Sequence, residues 1–139
     1  MFSKSTVSRV NRVIEIAWAL KPAKQTGRSF HCTAVYDKGK LVTVGYNDYT
    51  RAHPKHKYGE YKPCKFPTNN YKPCLHSEAS ALIRGGIENG EDYTFINVRI
   101  NNDNSVGMAK PCPNCFKLIQ SIGFKKLIYT DLKGEINEM

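Results

Sequence analysis

The chain has 139 residues, the size of one ordinary domain, and it is long enough to bury a hydrophobic core. Its five cysteines cannot all pair within one chain, and Glu15 interrupts the apolar N-terminal segment, so a secreted disulfide scaffold is disfavoured. No apolar run reaches the roughly 18 residues that a membrane-spanning helix requires. We therefore expect one soluble, cytoplasmic domain over residues 1–139, with thiols that are reduced or bind metal.

The net charge of +9 is concentrated in two segments of the chain. Residues 1–28 and residues 51–76 each contain six Lys or Arg side chains and one acidic side chain, so each segment has a net charge of +5. Such segments favour an anionic partner, although a solvated basic surface that only aids solubility has the same composition.

The first third of the chain predicts a helix followed by a β-hairpin. Apolar residues recur at helical spacing over about residues 8–19, and the helix ends before Pro22 because proline disfavours helix in the preceding residue. The segments SFHCTAVYD, residues 29–37, and KLVTVGY, residues 40–46, are rich in β-branched and aromatic side chains. Lys38-Gly39 between them predicts a tight turn.

A long stretch without periodicity follows the hairpin and contains four prolines. It predicts a basic insertion at about residues 48–75, and loops of this length are uncommon unless they are functional or tied down. Helices and strands then alternate, which predicts an α/β fold of one domain, with a mixed five-stranded sheet sandwiched by helices. The predicted helices are residues 77–84 and 112–123, and the further predicted strands are residues 92–100, 125–130 and 132–139.

Two short motifs with metal-binding side chains stand at the starts of predicted helices, His76-Ser77-Glu78 and Pro111-Cys112-Pro113-Asn114-Cys115. One imidazole and two thiolates supply three zinc ligands and leave the fourth tetrahedral position open for water, as a catalytic zinc requires. The dipole and unpaired N–H groups of a helix N-terminus favour the thiolate form of both cysteines. The alternative is a structural zinc site with a fourth ligand such as Cys74.

On these motifs the chain resembles the zinc-dependent cytidine and deoxycytidylate deaminase superfamily, with its H-x-E and P-C-x-x-C signature. It is most similar to the small deoxycytidylate (dCMP) deaminases, and the resemblance extends from the first predicted helix to Asp131. It implies a cytidine deaminase-like fold in which His76, Cys112 and Cys115 hold Zn2+ and Glu78 moves protons.

The same resemblance implies substrate contacts at two further positions. VGYND matches the motif that ends the second strand in this family, so Asn47 is expected to contact the sugar, although Asn after Gly-Tyr at a strand end is also a turn residue. Ser77 stands where the family usually has alanine, and Lys110 directly precedes Pro111. Both lie near the expected base pocket, so Ser77 is a second candidate substrate-binding residue. The resemblance also implies a homo-oligomer.

The activity that the resemblance implies is hydrolytic deamination of a cytosine nucleotide, most directly of dCMP to dUMP with release of ammonia. The basic insertion suits a phosphate group, with Arg51, Lys55, Lys57 and Lys62 as the pool of contacts. Two other substrates stay open, a free cytidine or deoxycytidine nucleoside and a base in RNA or single-stranded DNA. An antiparallel final strand is typical of the nucleoside enzymes, and the chain is too short for the added helix and parallel strand of polynucleotide deaminases.

A module that only binds nucleic acid is the hypothesis from another class. Basic charge with interleaved aromatic side chains can neutralise and stack a single strand. The aromatic side chains in question are Tyr46, Tyr49, Tyr58, Tyr61 and Tyr71.

The insertion also contains a candidate second metal site. His53, His56, Cys64 and Cys74 form a set of two histidines and two cysteines in one long loop. Ordering such a loop costs conformational entropy that few apolar side chains offset, and a structural zinc ion would reduce that cost. The alternative is that both cysteines are buried or free thiols.

Overall fold

The computed structural model describes residues 2–21, 29–47 and 76–139. In this part of the chain there are three helices and six strands. The helices are α1 (Lys4–Leu20), α2 (Ser77–Gly85) and α3 (Pro113–Ile122). The strands are β1 (Phe30–Asp37), β2 (Lys40–Tyr46), β3 (Tyr93–Ile100), β4 (Val106–Gly107), β5 (Lys126–Thr130) and β6 (Ile136–Glu138). The predicted insertion at residues 48–75 lies outside the described residues.

The six strands form one open mixed sheet in the order β2-β1-β3-β5-β6, with β4 paired to β3. Strand β1 is antiparallel to β2 and β3, whereas β3 and β5 are parallel. Strand β6 returns antiparallel to β5, as predicted for the final segment. The α/β class is confirmed. The sheet has one strand more than predicted, because β4 has only two residues and is too short to produce a periodic pattern.

The two faces of the sheet carry different helices. Even-numbered residues of the central strands, such as Phe30 and Ile96, are buried in a core that includes the apolar side of α1. Odd-numbered residues, such as Val35 and Phe95, are buried in a second core with α2 and α3. Strand alternation therefore puts four polar residues on the face of α2 and α3. These residues are His31, Thr33, Asn97 and Arg99.

The predicted turn and the predicted end of α2 are confirmed. Lys38 and Gly39 have φ values of 49° and 87°, so both central residues of the hairpin turn adopt the positive φ that matches the twist of the strands. Gly86 ends α2 in the left-handed conformation with φ 60°. These signals are local, and the structure follows them.

Helix α1 begins at Lys4, and the predicted start at about residue 8 was wrong. Ser3 is the N-cap, and its Oγ accepts a hydrogen bond from the Thr6 N–H at 3.2 Å. The first turn buries Thr6, a polar residue, so the apolar period starts only later in the helix. None of the helices α1 to α3 is both long and apolar enough to cross a membrane.

Gly45 of β2 lies directly beneath α2. A Cβ atom at this position would meet the backbone of Ser77 and Ala81, and it would lie 2.6 Å from the Ala81 Cα. We expect Gly45→Ala to push α2 off the sheet and to lower the free energy of unfolding by about 1–3 kcal/mol or more. Chemical denaturation measures this change.

The matched control is Leu41→Ala on the same strand, where the side chain is 45% exposed. This control should cost less than about 0.5 kcal/mol. An unchanged free energy of unfolding in Gly45→Ala would contradict the close packing of α2 on β2.

Candidate active site

The two motifs meet where helices α2 and α3 begin. His76 is the N-cap of α2, and Cys112 is the N-cap of α3, with Cys115 in the first turn. Both helices lie on the same face of the sheet, which brings their N-termini together. The ligand atoms of these three residues all lie within 4.8 Å of one another.

The distances in this group fit a tetrahedral zinc ion. The Nδ1 atom of His76 lies 3.7 Å from the Cys112 Sγ and 3.5 Å from the Cys115 Sγ. Zinc bonds of about 2.3 Å to sulfur and about 2.0–2.1 Å to nitrogen place tetrahedral N and S ligands about 3.6 Å apart. Zinc is therefore the ion that this imidazole and these two thiols suit.

The helix N-terminus also favours the thiolate form that zinc binds. The Cys112 Sγ accepts a hydrogen bond from the Cys115 backbone N–H at 3.4 Å. Pro113 occupies the start of the helix, where its missing N–H group leaves no donor unpaired. The positive end of the helix dipole stabilises negative charge on both sulfur atoms.

Glu78 is buried in the first turn of α2, with only 6% of its surface exposed. Burial raises the pKa of its carboxyl group, and the nearby His76 opposes this shift. The Ser77 hydroxyl lies 2.9 Å from the Glu78 Oε1. Burial destabilises the ionised form of this carboxyl group relative to its protonated form. Such a group is suited to accept and return a proton.

A chain of buried polar side chains continues from Glu78 into the sheet. The Ser77 Oγ lies 2.8 Å from the Thr33 Oγ1, which in turn lies 2.7 Å from the Asn97 Oδ1. Three contacts link these four groups, and each hydroxyl has one proton to donate. A neutral Glu78 supplies the third proton. When Glu78 is ionised, the Asn97 amide supplies the third proton instead, once it is turned so that its Nδ2 donates to Thr33. Every contact in the chain is therefore satisfied in either protonation state of Glu78.

Asn47 immediately follows β2, and its side chain ties that strand end to β1. Its Oδ1 accepts a hydrogen bond from the His31 backbone N–H at 2.9 Å, and its Nδ2 donates to the Ser29 carbonyl at 3.3 Å. Asn47 also lines the cavity beside the metal ligands. The side chain therefore has a structural role in addition to any contact with a substrate.

A cavity of about 300 Å³ adjoins the metal-binding group and Glu78. Burial, followed by the charge of Arg99, lowers the pKa of His31 in its wall to about 4, so this imidazole is neutral at pH 7. Lys110 lines the cavity but is exposed at residue level. The lining residues are His31, Asn47, His76, Ser77, Glu78, Arg99, Met108, Ala109, Lys110 and Cys112.

Four residues that form or support this site were not predicted from the sequence, namely His31, Thr33, Asn97 and Arg99. The signal was present, because two polar residues alternate with apolar ones at the start of β1 and again near the end of β3. Alternation alone places each pair on one face of the sheet. It does not show that the two pairs face the same helix.

The other predicted metal ligands belong to the insertion at about residues 48–75. His53, His56, Cys64 and Cys74 lie outside the described residues, so the second metal site and the fourth-ligand alternative stay predictions. Within the described residues, the three-ligand group is the one set of side chains that could hold a metal ion. Cys32 lies on the α1 face, where burial raises its pKa to about 12 and makes it a packing residue.

Family comparison agrees with this geometry. The family model of the cytidine and deoxycytidylate deaminase zinc-binding region matches residues 7–131. The match covers most of the chain, so the chain belongs to the cytidine and deoxycytidylate deaminase family. No curated protein sequence matches it.

Solved structures agree with the fold. A dCMP deaminase from the cyanophage S-TIM5, in complex with dCMP and dUMP, is 17% identical with a TM-score of 0.55, covering 95% of this chain and 85% of that one. A cytidine deaminase from Burkholderia pseudomallei is also 17% identical with a TM-score of 0.55, covering 93% and 90%. A cytidine deaminase from Mycobacterium leprae is 14% identical with a TM-score of 0.51, covering 93% and 88%. At these identities the similarity establishes the fold and does not distinguish a nucleotide from a nucleoside substrate.

The metal-binding group leads to a prediction about stability. We expect Cys115→Ser to bind about one zinc ion per chain less than the wild type and to have a lower melting temperature, since bound metal contributes folding free energy. Elemental analysis and thermal denaturation measure both effects. Cys32→Ser tests a thiol outside the group, and it should keep its zinc even where it costs stability. Full zinc binding by Cys115→Ser would contradict the assignment of Cys115 as a ligand.

A second prediction separates the two roles of Asn47. Asn47→Ala leaves the part-buried His31 N–H without its acceptor, so we expect it to lower the free energy of unfolding by about 1–3 kcal/mol. Asn47→Asp keeps an acceptor oxygen but loses the Nδ2 donor, so it should cost less stability. If Asn47→Ala had the same free energy of unfolding as the wild type, the structural role would be wrong.

Proposed function

We propose that the chain is a zinc-dependent hydrolytic deaminase of a cytosine nucleotide, with dCMP as its preferred substrate and dUMP and ammonia as its products. The observation that supports this most directly is the buried Glu78 carboxyl group in a cavity whose wall also contains His76 and Cys112. This combination provides a metal-binding group and a proton carrier at one small-molecule site.

In the proposed reaction His76, Cys112 and Cys115 would hold a zinc ion, and the bound ion would supply an activated water as the nucleophile near neutral pH. Glu78 takes the proton of the attacking water and passes it to the ring nitrogen of cytosine. Glu78 then takes the remaining proton of the new hydroxyl group and gives it to the exocyclic amine. The bond between the ring carbon and the amine breaks, the carbonyl of uracil forms and ammonia leaves. One carboxyl group thus acts first as base and then as acid.

The chain of buried side chains supports this role for Glu78. Glu78 has to exist both with and without a proton during the reaction, and its pKa is raised by burial. Ser77 pairs with Glu78 in either state, because Thr33 pairs with Ser77 and the Asn97 amide beyond Thr33 can turn. Ser77 thereby has a positioning role that the alanine usual in the family could not fill.

A free nucleoside is the second candidate substrate. The antiparallel pairing of β6 with β5 favours it, because this ending is the one expected for cytidine deaminases. A base within RNA or single-stranded DNA is the third. The small cavity supports both free compounds over a polynucleotide, since about 300 Å³ is near the lower limit of ordinary ligand pockets.

The test is a panel of dCMP, CMP, dCTP, cytidine, deoxycytidine, and adenine and guanine compounds, incubated with zinc-loaded protein. Ammonia release and the mass of each product are measured. We expect turnover of cytosine compounds, with the highest kcat/KM for dCMP. A lack of turnover with the whole panel, in protein that retains its zinc, would favour a structural zinc site instead.

We expect Glu78→Gln to lower kcat by about 10²–10⁴ while zinc stays bound, because the carboxyl group carries protons and is not a ligand. Steady-state kinetics and elemental analysis are measured on the same preparation. The matched control is Glu88→Gln, which removes an exposed carboxylate just beyond α2 and should leave both quantities unchanged. Loss of zinc from Glu78→Gln would contradict the proposed role.

A further inference from the structure

Arg99 brings a positive charge to the cavity wall. Its Nε atom is buried, and no residue in the part of the chain that the structure describes forms a hydrogen bond with it. Among the described residues, Arg99 forms no ion pair with a carboxylate either. A buried polar group without a partner costs free energy, and the cost is larger when the group is charged. The guanidinium therefore lies where an anion would compensate it.

The groups that face Arg99 do not neutralise it. His31 is its cross-strand partner in the pairing of β1 with β3, and the pKa of this imidazole is lowered to about 4, so it is uncharged at pH 7. Glu78 is the carboxylate in the described lining, and the Ser77 hydroxyl engages it. Lys110 adds a second positive charge from the segment before α3. The described lining therefore contains two basic side chains, Arg99 and Lys110, and one carboxyl group.

The position of this charge follows from the sheet. Arg99 lies near the end of β3, on the same face as Asn97, whose side chain joins the polar chain that leads to Glu78. The cavity is continuous from Arg99 to His76 and Cys112. One ligand can therefore contact the metal-binding end and Arg99 at the same time.

We propose that Arg99, assisted by Lys110, binds the 5′-phosphate of a cytosine mononucleotide whose base lies against Glu78. This inference rests on the proposed deaminase function and names the substrate class of the same site. The planar guanidinium offers paired N–H donors that match a phosphate monoester. The small cavity favours a monoester over the phosphodiesters of a polynucleotide, which continue in both directions.

The experiment compares kcat/KM for dCMP and for deoxycytidine, at one salt concentration, in the wild type and in Arg99→Met. We expect the ratio of the two kcat/KM values to fall by about tenfold to a hundredfold in Arg99→Met, because a charge-assisted contact to phosphate is lost. Arg99→Lys keeps the charge but loses the paired N–H donors of the guanidinium. Its ratio should therefore lie between those of the wild type and of Arg99→Met. An unchanged ratio in Arg99→Met would overturn the proposal.

The matched control is Lys126→Met. Lys126 is exposed at the start of β5 and pairs with Thr94, at the opposite end of β3 from Arg99. Its replacement removes the same formal charge and should leave the ratio unchanged. An equal fall in this control would assign the effect to net charge and would also overturn the proposal.

Calorimetric titration with dUMP and deoxyuridine provides a measurement that does not depend on turnover. The wild type should bind dUMP at least tenfold more tightly than deoxyuridine, and Arg99→Lys should reduce this difference. If neither dCMP nor deoxycytidine is deaminated, the proposed function fails, while the difference in binding still tests Arg99. Equal binding of dUMP and deoxyuridine by the wild type overturns the phosphate site even where deamination is observed.

An oligodeoxynucleotide with a single cytosine distinguishes the two sources of phosphate. We expect the wild type to deaminate it with a lower kcat/KM than dCMP. A higher kcat/KM for the oligonucleotide would overturn the assignment to a mononucleotide.

Discussion

The close packing of helix α2 on strand β2 is the contact on which the site depends. Gly45 has no side chain, so the backbone of α2 at Ser77 and Ala81 can lie directly against the strand. The helix that is held there has His76 as its N-cap, and its first turn contains Glu78. A glycine in the sheet thus sets the depth of a candidate metal ligand and of the proposed proton carrier.

This packing places polar side chains beneath the helix, and these side chains form hydrogen bonds with one another in a chain. Glu78, Ser77, Thr33 and Asn97 are all buried, and in this order each contacts the next through oxygen atoms 2.7–2.9 Å apart. A partly satisfied buried network would destabilise the fold, whereas a complete one specifies a single arrangement. The same contacts hold the Glu78 carboxyl group in place, so the proposed catalytic group and the local stability depend on one set of hydrogen bonds.

The zinc-binding group depends on a second arrangement, the convergence of two helix N-termini. His76 and the two cysteines belong to helices that are separated by β3 and β4 in the sequence. In the sheet, β1 lies between β2 and β3, and β5 lies beyond β3. Helices α2 and α3 therefore lie on the same face and start at the same end of the sheet. The N-terminal ends of both helices stabilise negative charge there, which suits thiolates.

Much of the fold and of the metal site could be predicted from the sequence, because their signals are local. Positive φ at Lys38-Gly39, the end of α2 at Gly86 and the ligand spacing of Cys112 and Cys115 depend on residues within one turn. The two-residue strand β4 and the first turn of α1 left no periodic pattern and were not predicted.

The sequence by itself determined the α/β class, the hairpin and the helix starts that carry the zinc ligands and Glu78, since the chemistry of neighbouring residues decides each of them. Only the tertiary structure decided that Thr33 and Asn97 support Glu78 and that Asn47 ties β2 to β1. It also decided that Arg99 lies in the cavity wall with a buried Nε that no described residue pairs with. These relations join residues far apart in the chain. Strand order and register place such residues together, and no local pattern specifies which strands become neighbours.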